Sequence, residues 1–457
     1  MNISYLIPLL LLVSACNLEV KPENEISGDA IINTIPKAES LLSQAYVSLQ
    51  FSPEDYSVLT EDFQPTYLIS YQIDLQQYHA WNEAVIERRT AQIWEANYNA
   101  LVHLNTLLNS EPYLNSAQDK WSTLKGQALV LKAYIYFDLL QLFSKRYDPQ
   151  EAGIILKESN ILATNPRLTQ AESLKAIENF LSEAVALLKD NNDTQIYYMQ
   201  LPAAYLLQGQ VALFQKKYAE AEQRIAPLLA KNKSLPQHKD EIRMLWNNSL
   251  TAQSPHVLWA YDYRTHPNNY LYYTNRNEGD YFQVNNLFSF EEQDLRATIS
   301  LFKMEMKTLS GQTGVRPLFG KYRSTLQDQL ERMPVMMRLT EAHFILLESL
   351  IEQNKLPEAV ATLNRFFTSV GLTTIPSQQS QQSLRLRLRH EKQKEFIGEK
   401  INFLDLKRWN KSISRYLPDS NTLSVTIQAS DYRWTWPIPT SERRYNTLVS
   451  QNPGWLF

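Results

Sequence analysis

The sequence predicts a mostly α-helical protein with long irregular loops and little β-structure. The chain has 457 residues but only 11 glycines, although glycine usually makes up about 7% of a protein. All-β sandwiches and nucleotide-binding α/β folds use glycine in turns and phosphate loops, so this scarcity favours helices. Aromatic residues are abundant, with 25 Tyr, 17 Phe and 9 Trp. We therefore expect a helical scaffold with aromatic-rich loops.

Charge and cysteine content exclude several classes of protein. Lys and Arg number 45 against 48 Asp and Glu, which gives a net charge of −3. This balance argues against a nucleic-acid partner, since binding phosphates requires a basic face. The single cysteine excludes a disulfide framework and any cysteine-based metal site. The length predicts two or three domains, or one extended repeat architecture.

The N-terminus has the pattern of an export signal. Residues 5–13 form an apolar run that is too short to span a bilayer, which takes about 20 residues. The run predicts a signal peptide over residues 1–15. Val13–Cys16 resembles the bacterial lipobox, in which the cysteine carries the lipid. We expect lipidation at Cys16, a polar tether over residues 16–33, and attachment to a membrane by lipid alone.

Four apolar stripes with helical spacing follow, within a predicted N-terminal helical region of residues 34–230. Each stripe predicts a helix of about 15 to 20 residues with a polar opposite face. The stripes begin with Leu41, Leu42, Ala45, Tyr46 and Leu49, and continue with Ile93, Ala96, Ala100, Leu101, Leu104 and Leu108, then Leu124, Ala128, Leu131, Ile135 and Leu142, and finally Leu174, Ile177, Leu181, Ala184, Val185 and Leu188.

The sequence also contains an internal repeat. Residues 206–229 align without gaps on residues 344–367, an offset of 344 − 206 = 138 positions. Both copies read as a helix, a short polar turn and a second helix. In the second copy Pro357 falls in a first helical turn, where its missing N–H is tolerated. This layout resembles tetratricopeptide repeats and predicts tetratricopeptide-like helix pairs that form a scaffold.

Two aromatic-rich segments interrupt the helical pattern. Residues 52–82 and 261–290 are too long to be simple connectors, and long irregular insertions usually serve function. We assign residues 231–330 to an irregular ligand-loop region. Residues 331–457 form a C-terminal region, which is irregular from residue 423 apart from a short strand expected at Leu423–Ile427.

No catalytic signature is present, so we expect neither an enzyme nor a cofactor. Gly314–Tyr322 is superficially like a phosphate loop, but it has five intervening residues instead of four and a tyrosine in place of Ser or Thr. The histidines show no close pair at metal-ligand spacing, and no metal is expected. Glu61 and Asp62 are the one carboxylate pair to inspect for glycoside hydrolysis, and we expect both to be solvated or capping residues.

Several stretches together resemble the SusD/RagB family of outer-membrane nutrient-binding lipoproteins. In the most similar stretch, Glu391–Trp409, the sequence departs from the family pattern at Lys392, Lys400 and Asn402, which puts local ion pairing in question. Its spacing predicts one helical face with Phe396 and Phe403 and another with Glu395 and Glu399. The other similar stretches are Trp94–Ala100, Gly126–Leu139, Pro334–Glu341, Trp436–Pro439 and Gln451–Trp455.

The resemblance implies a surface-exposed lipoprotein of the outer membrane. Such a protein captures a nutrient, most often a glycan or oligosaccharide, and delivers it to a SusC-like TonB-dependent β-barrel transporter. The helical scaffold would face the barrel, and the loops would hold the ligand. Three alternatives stay open: a peptide-capturing member of the family, a tetratricopeptide-like scaffold that binds only protein, and a surface hydrolase.

The aromatic segments supply candidate ligand contacts. Sugar rings lie flat on Tyr or Trp rings, while sugar hydroxyls need Asn, Gln, Asp or Arg partners. We also expect Trp81→Ala to weaken ligand retention without lowering the melting temperature. The aromatic candidates are Tyr71, Tyr78, Trp81, Tyr270, Tyr273 and Tyr281, and the polar candidates are Arg264, Asn269 and Arg276.

Overall fold

Helices dominate the residues that the structure, a computed structural model, describes. Those residues are 32–49, 54–114, 118–160, 164–191, 195–231, 235–246, 254–261, 281–285, 288–308, 310–321, 334–416 and 422–456. The helices are α1 (Ile35–Ser48), α2 (Glu54–Ser57), α3 (Ile73–His79), α4 (Glu83–Asn109), α5 (Gln118–Phe143), α6 (Gln170–Leu188), α7 (Leu201–Phe214), α8 (Tyr218–Lys231), α9 (Lys239–Met244), α10 (Leu339–Glu352), α11 (Leu356–Ser369), α12 (Gln381–Glu395), α13 (Lys400–Arg408) and α14 (Thr440–Tyr445). The predicted fold class is confirmed.

Each predicted apolar stripe lies on a helix, namely α1, α4, α5 and α6. The predicted length was too short for α4 and α5, which have 27 and 26 residues. Capping side chains determine where two of these helices begin. Asn82 accepts a hydrogen bond from the backbone N–H of Val85 at the start of α4, and Thr169 forms a capping box with Glu172 at the start of α6. In the described part of the chain, no helix is both long and apolar enough to cross a bilayer.

The internal repeat is confirmed at the level of helix ends. The first pair, α7 and α8, and the second pair, α10 and α11, have starts and ends that all differ by 138 positions, as 339 − 201 = 138 shows for the first residues. The turns also match, because Lys216 and Asn354 both have a φ of 60°. The aligned residues Ala221 and Ala359 are both fully buried.

The helix pairs stack in the order α5–α6, α7–α8, α10–α11, and one bond recurs between neighbouring pairs. The amide of Gln215 donates to Glu178 on α6 at 2.7 Å, and the amide of Gln353 donates to Glu222 on α8 at the same distance. Gly209 permits close approach within a pair, since a Cβ there would lie 2.3 Å from Ile225. This stack is the tetratricopeptide-like scaffold that the sequence predicted.

The β-structure is small and consists of short antiparallel pairs. A four-stranded sheet has the order β1-β3-β5-β4, and two-stranded sheets are formed by β2 with β6 and by β7 with β8. The strand predicted at Leu423–Ile427 is β8, with those bounds. The strands are β1 (Phe63–Pro65), β2 (Val257–Ala260), β3 (Phe282–Val284), β4 (Leu301–Lys307), β5 (Thr313–Phe319), β6 (Val335–Arg338), β7 (Ile413–Tyr416) and β8 (Leu423–Ile427).

The stretch Glu391–Trp409 is not one continuous helix. Helix α12 ends at Glu395 and α13 begins at Lys400, and Gly398 between them has a φ of 74°. A side chain on Gly398 would also meet the ring of Phe319 at 2.5 Å, so glycine is required there. The prediction that Phe396 and Phe403 share one helical face is therefore wrong, and their rings pack in different clusters.

Candidate functional site

The four-stranded sheet brings the two aromatic segments together. Strand β1 comes from the first segment and β3 from the second, and they pair antiparallel with Phe63 opposite Val284. Just beyond this pairing, the backbone N–H of Thr66 donates to the carbonyl of Tyr281 at 2.8 Å. The side-chain amide of Gln72 lies 3.4 Å from the Tyr281 hydroxyl. The middle of the first segment and the residue just before β3 are therefore joined.

The joined region exposes tyrosine rings. Tyr71 is 74% exposed and Tyr67 is 37% exposed, both on the short 3-10 helix Tyr67–Tyr71. Tyr281 is half-buried and packs against the small cluster that contains Leu68. We call Tyr67, Tyr71, Gln72 and Tyr281 the tyrosine surface. It offers ring faces together with a hydroxyl and an amide, which are the groups that a sugar ring and its hydroxyls can use.

Tyr78 and Trp81 are not part of this surface, because both side chains are fully buried. The indole N–H of Trp81 donates to the carbonyl of Leu59 at 2.9 Å, and its ring lies 5.1 Å from that of Trp434. The Tyr78 ring lies beneath the guanidinium of Arg89, at 4.8 Å from its centroid. Side chains without exposed area cannot contact a ligand, so burial removes these two residues from the predicted site. They pack the first segment onto the helical scaffold.

The other predicted contacts cannot be placed in the same way. Cys16 and the whole of residues 1–31 lie outside the described residues, and their assignment stays a prediction. The same holds for five predicted ligand contacts, which are Arg264, Asn269, Tyr270, Tyr273 and Arg276.

The carboxylate pair of Glu61 and Asp62 serves structure. Asp62 is fully buried and accepts hydrogen bonds from the Asn402 amide at 3.0 Å and the Gly398 N–H at 3.1 Å. Glu61 accepts bonds from the Gln393 amide and from a backbone N–H of β7. Burial raises the pKa of Asp62 to about 7. The pair connects the first aromatic segment to α12, α13 and β7. Asp62 was expected to be a solvated or capping residue, but it is fully buried.

Arg415, on β7, is the residue of this region that the sequence did not reveal. Its buried guanidinium donates to the carbonyls of Val58 and Thr60, each at 3.1 Å, and to the carbonyl of His79. Burial lowers the pKa of His79 well below its usual value. One arginine thus ties both ends of the first aromatic segment to a strand more than 300 residues later in the chain. Nothing in the local pattern of β7 marks this role.

The three departures from the family pattern each have a partner. Lys392 pairs with Asp405 at 2.7 Å. Lys400 pairs with Asp138 at 2.5 Å, and Asn402 binds Asp62. The two lysines therefore form ion pairs, and Asn402 contributes a hydrogen bond in place of an ion pair. Among the described residues, no group of three or more His, Cys, Asp or Glu is arranged to hold a metal ion.

The architecture defines a tetratricopeptide-like helical scaffold that presents an exposed tyrosine surface. Residues 17–213 match a SusD-like family model described as "Starch-binding associating with outer membrane". Residues 262–455 match the model of the SusD family. Together these matches cover most of the chain, and the chain belongs to the SusD/RagB family. No curated protein sequence matches it.

Solved structures share the fold over nearly the whole chain. A SusD-like carbohydrate binding protein from Bacteroides vulgatus is 19% identical, with a TM-score of 0.73 over 91% of this chain and 97% of that one. A SusD superfamily protein from Bacteroides thetaiotaomicron is 19% identical, with a TM-score of 0.75 over 92% and 100%. Surface glycan-binding protein A from Bacteroides fluxus is 16% identical, with a TM-score of 0.67 over 93% and 100%. At these identities the likeness shows the fold alone.

Proposed function

We propose that this protein captures a glycan or oligosaccharide at the tyrosine surface and passes it to a SusC-like TonB-dependent transporter. The exposed ring of Tyr71, beside the Tyr281 hydroxyl and the Gln72 amide, is the observation that carries the proposal. Family membership supports it, as do the two relatives described as carbohydrate binding and surface glycan-binding. The role is that of a binding protein, not an enzyme.

Binding would rest on stacking and hydrogen bonds. Sugar C–H groups lie on the Tyr71 ring, and sugar hydroxyls bond to Tyr281 and Gln72. Each aromatic contact contributes about 0.5–1.5 kcal/mol beyond its buried area. Two or three such contacts with hydrogen bonds reach roughly −4 to −8 kcal/mol, a millimolar to micromolar Kd. The proposal also includes five contacts supported by sequence alone, which are Arg264, Asn269, Tyr270, Tyr273 and Arg276.

Weak capture is compatible with delivery. A protein that hands its cargo to a transporter must release it, and holding the ligand beside the transporter raises its local concentration. The anchoring of the first aromatic segment by Arg415 supports this function as well. A surface that is ordered before the ligand arrives loses less conformational entropy on binding.

Attachment to the outer membrane through Cys16, facing the cell exterior, is part of the proposal. After removal of residues 1–15, acyl chains on Cys16 would hold the protein on the membrane, each buried methylene contributing about 0.8 kcal/mol. Cys16→Ser should therefore move the protein from the membrane fraction to the soluble fraction. The fractions are compared after the transporter has been extracted from the membrane, so that binding to it cannot retain the protein. If Cys16→Ser still remains in the membrane fraction, lipid anchoring is contradicted.

The test of ligand capture is retention on an array of plant, fungal and bacterial oligosaccharides. The full chain should retain at least one glycan, and Tyr71→Ala should weaken that binding several-fold to about tenfold. Tyr113→Ala is the matched control, because Tyr113 is another exposed tyrosine, 48% exposed, on a different 3-10 helix.

Other results would select among the alternatives. Retention of peptides but no glycans would indicate a peptide-capturing protein. Co-purification with a β-barrel and retention of neither ligand would indicate a scaffold that binds only protein. Release of shortened products from a retained glycan would indicate a hydrolase. Equal binding by the wild type and Tyr71→Ala would remove the tyrosine surface from the proposal.

A further inference from the structure

A second cleft lies between α4, residues 157–160 and α14. Its volume is about 810 Å³, within the range of about 300–1,000 Å³ that small-molecule sites occupy. The side chains that matter for its chemistry are Trp94, Tyr98, Asn99, Asn160, Ser441 and Tyr445.

The floor of this cleft is aromatic and fixed. The rings of Trp94 and Tyr98 lie 4.8 Å apart, and Trp94 also makes an edge contact with Phe143 at 4.8 Å. The Tyr98 hydroxyl donates to the carbonyl of Ile155 at 2.9 Å, which fixes the orientation of the ring. Trp94 is itself buried, at 4% exposed, so the half-buried Tyr98 ring is the part of the floor that a ligand can reach, and its fixed orientation requires no rearrangement on binding.

The rim supplies an exposed ring and polar groups. Tyr445, the last residue of α14, is 77% exposed. Ser441 lies four residues earlier, about one turn of the same helix, with its hydroxyl 3.4 Å from the Glu95 carboxylate. Across the cleft, Asn99 on α4 is exposed, and the Asn160 amide bonds to Thr106 at 2.6 Å. A tyrosine ring thus faces solvent beside hydroxyl and amide groups.

The charges of the lining indicate the class of ligand. Glu95 and Glu442 line the cleft together with one cation, Lys157. An anionic ligand would meet two carboxylates, whereas a neutral polyhydroxylated ligand finds donors and acceptors without an unbalanced charge. We propose that this cleft is a second saccharide-binding site, in which Tyr445 stacks on a sugar ring while Asn99 and Ser441 bond to its hydroxyls.

The cleft lies farther along α4 than the tyrosine surface does. Arg88, near the start of α4, pairs with Asp74 on α3, next to that surface. Tyr98 lies ten residues farther along the helix, which corresponds to about 15 Å. The inference goes beyond the proposed function, because it adds a second binding site whose lining includes no residue of the tyrosine surface. A long glycan, or two glycans, could then occupy the protein simultaneously.

The test uses the same oligosaccharide array with the full chain, followed by calorimetric titration with each glycan retained. Tyr445→Ala should weaken binding several-fold for at least one glycan, and Tyr445→Phe, which keeps the ring, should restore most of it. Tyr113→Ala should bind like the wild type. Since Tyr445 is largely exposed, thermal melting of the variants should match that of the wild type.

The outcomes separate this inference from the proposed function. Weaker binding by Tyr445→Ala with recovery in Tyr445→Phe supports the cleft, whatever Tyr71→Ala does. If Tyr445→Ala binds like the wild type while Tyr71→Ala is weakened, the cleft proposal is overturned and the proposed function stands. Failure of the wild type to retain any glycan overturns both proposals.

Discussion

Buried arginines connect parts of the molecule that are far apart in the sequence. Arg338 is the last residue of β6, immediately before α10, and is 1% exposed. Its guanidinium pairs with Glu395 at 2.5 Å and with Glu399 at 3.0 Å, and Lys321 also pairs with Glu399 at 2.6 Å. Taking such charges out of water is costly, so the cluster is stable only while every member has its partner.

Replacing Arg338 therefore tests this cluster. Arg338→Met should lower the free energy of unfolding by about 3–5 kcal/mol, because Glu395 and Glu399 keep their buried charges without this partner. Urea denaturation measures the change. Arg224→Met is the control, since Arg224 pairs with Glu220 on the surface at 2.9 Å, and such pairs contribute up to about 1 kcal/mol. Similar losses in both variants would contradict this account.

Trp81 provides a second test at this scale. Because its ring is fully buried against Trp434, Trp81→Ala should cost about 3–5 kcal/mol of unfolding free energy and lower the melting temperature. Tyr71→Ala should stay within about 0.5 kcal/mol of the wild type, since Tyr71 is exposed. Calorimetry of both variants checks the difference, which is the reverse of what the sequence predicted for Trp81.

The sequence distinguishes these two aromatic residues poorly. Tyr71 and Trp81 lie ten positions apart in one irregular segment, without the periodicity that reveals a buried face. What covers Trp81 is Trp434, which lies more than 350 positions later. The polar anchor Arg415 is equally distant from the carbonyls it binds. Aromatic enrichment therefore marked the segment as a candidate, while the exposure of single rings depended on contacts that no local pattern contains.

At the scale of elements, the two repeated helix pairs use the same turn. Lys216 and Asn354 occupy the same position and both adopt a φ of 60°, which costs an ordinary side chain about 1–2 kcal/mol. Asparagine tolerates this conformation better than lysine does. The two turns therefore have the same shape but different amounts of strain.

This difference yields a paired prediction. Lys216→Gly should raise the free energy of unfolding by about 0.5–1 kcal/mol, the strain released minus the greater chain entropy of glycine. Asn354→Gly should change it little. Urea midpoints of the two variants give the comparison. A larger gain in Asn354→Gly than in Lys216→Gly would contradict the greater strain that we assign to Lys216.

Elements with long periodic or repeated patterns were predictable, and most short ones were not. The helix pairs followed from the internal repeat, and β8 is a short strand with the expected bounds. Strands β1 and β3 have three residues each, too few for an alternation to be visible, and they pair across more than 200 positions. The break between α12 and α13 occurs at Gly398, the one glycine in that stretch. A glycine can mark the end of a helix, but the helical spacing of the residues around Gly398 led to the prediction of one continuous helical face.

For the whole molecule, buried carboxyl groups make stability depend on pH in two directions. Burial raises the pKa of Asp62 and of Glu341 to about 7. Burial alone would also raise the pKa of Glu348, but its bonds to Arg408 lower it to about 2. Groups with raised pKa values favour folding when protonated, so stability falls as pH rises from about 4 towards 7. Glu348 has the opposite effect, and its contribution is lost as pH falls from about 4 to 2.

Asp62→Asn isolates the first effect. Between about pH 4.5 and 6.5 the Asp62 carboxyl keeps its proton in the folded protein but loses it in the unfolded chain. In Asp62→Asn the free energy of unfolding should therefore fall less steeply with rising pH, by up to about 1.4 kcal/mol per pH unit. Urea denaturation at pH 5 and pH 6.5 measures this slope. The control is Asp190→Asn, because the Asp190 side chain is 88% exposed. An unchanged slope in Asp62→Asn would show that Asp62 is ionised throughout this range.

The tyrosine surface has a consequence for the order of folding. Strand β1 must pair with β3 more than 200 residues later, and the side-chain amide of Gln64 in β1 must reach the carbonyl of Tyr416 at 2.8 Å, 352 positions away. Contacts of such high sequence separation form slowly, because long loops must close first. The surface is therefore completed only when nearly the whole chain has collapsed. A truncated chain would lack this surface, so retention of the proposed ligand would report directly on completed folding.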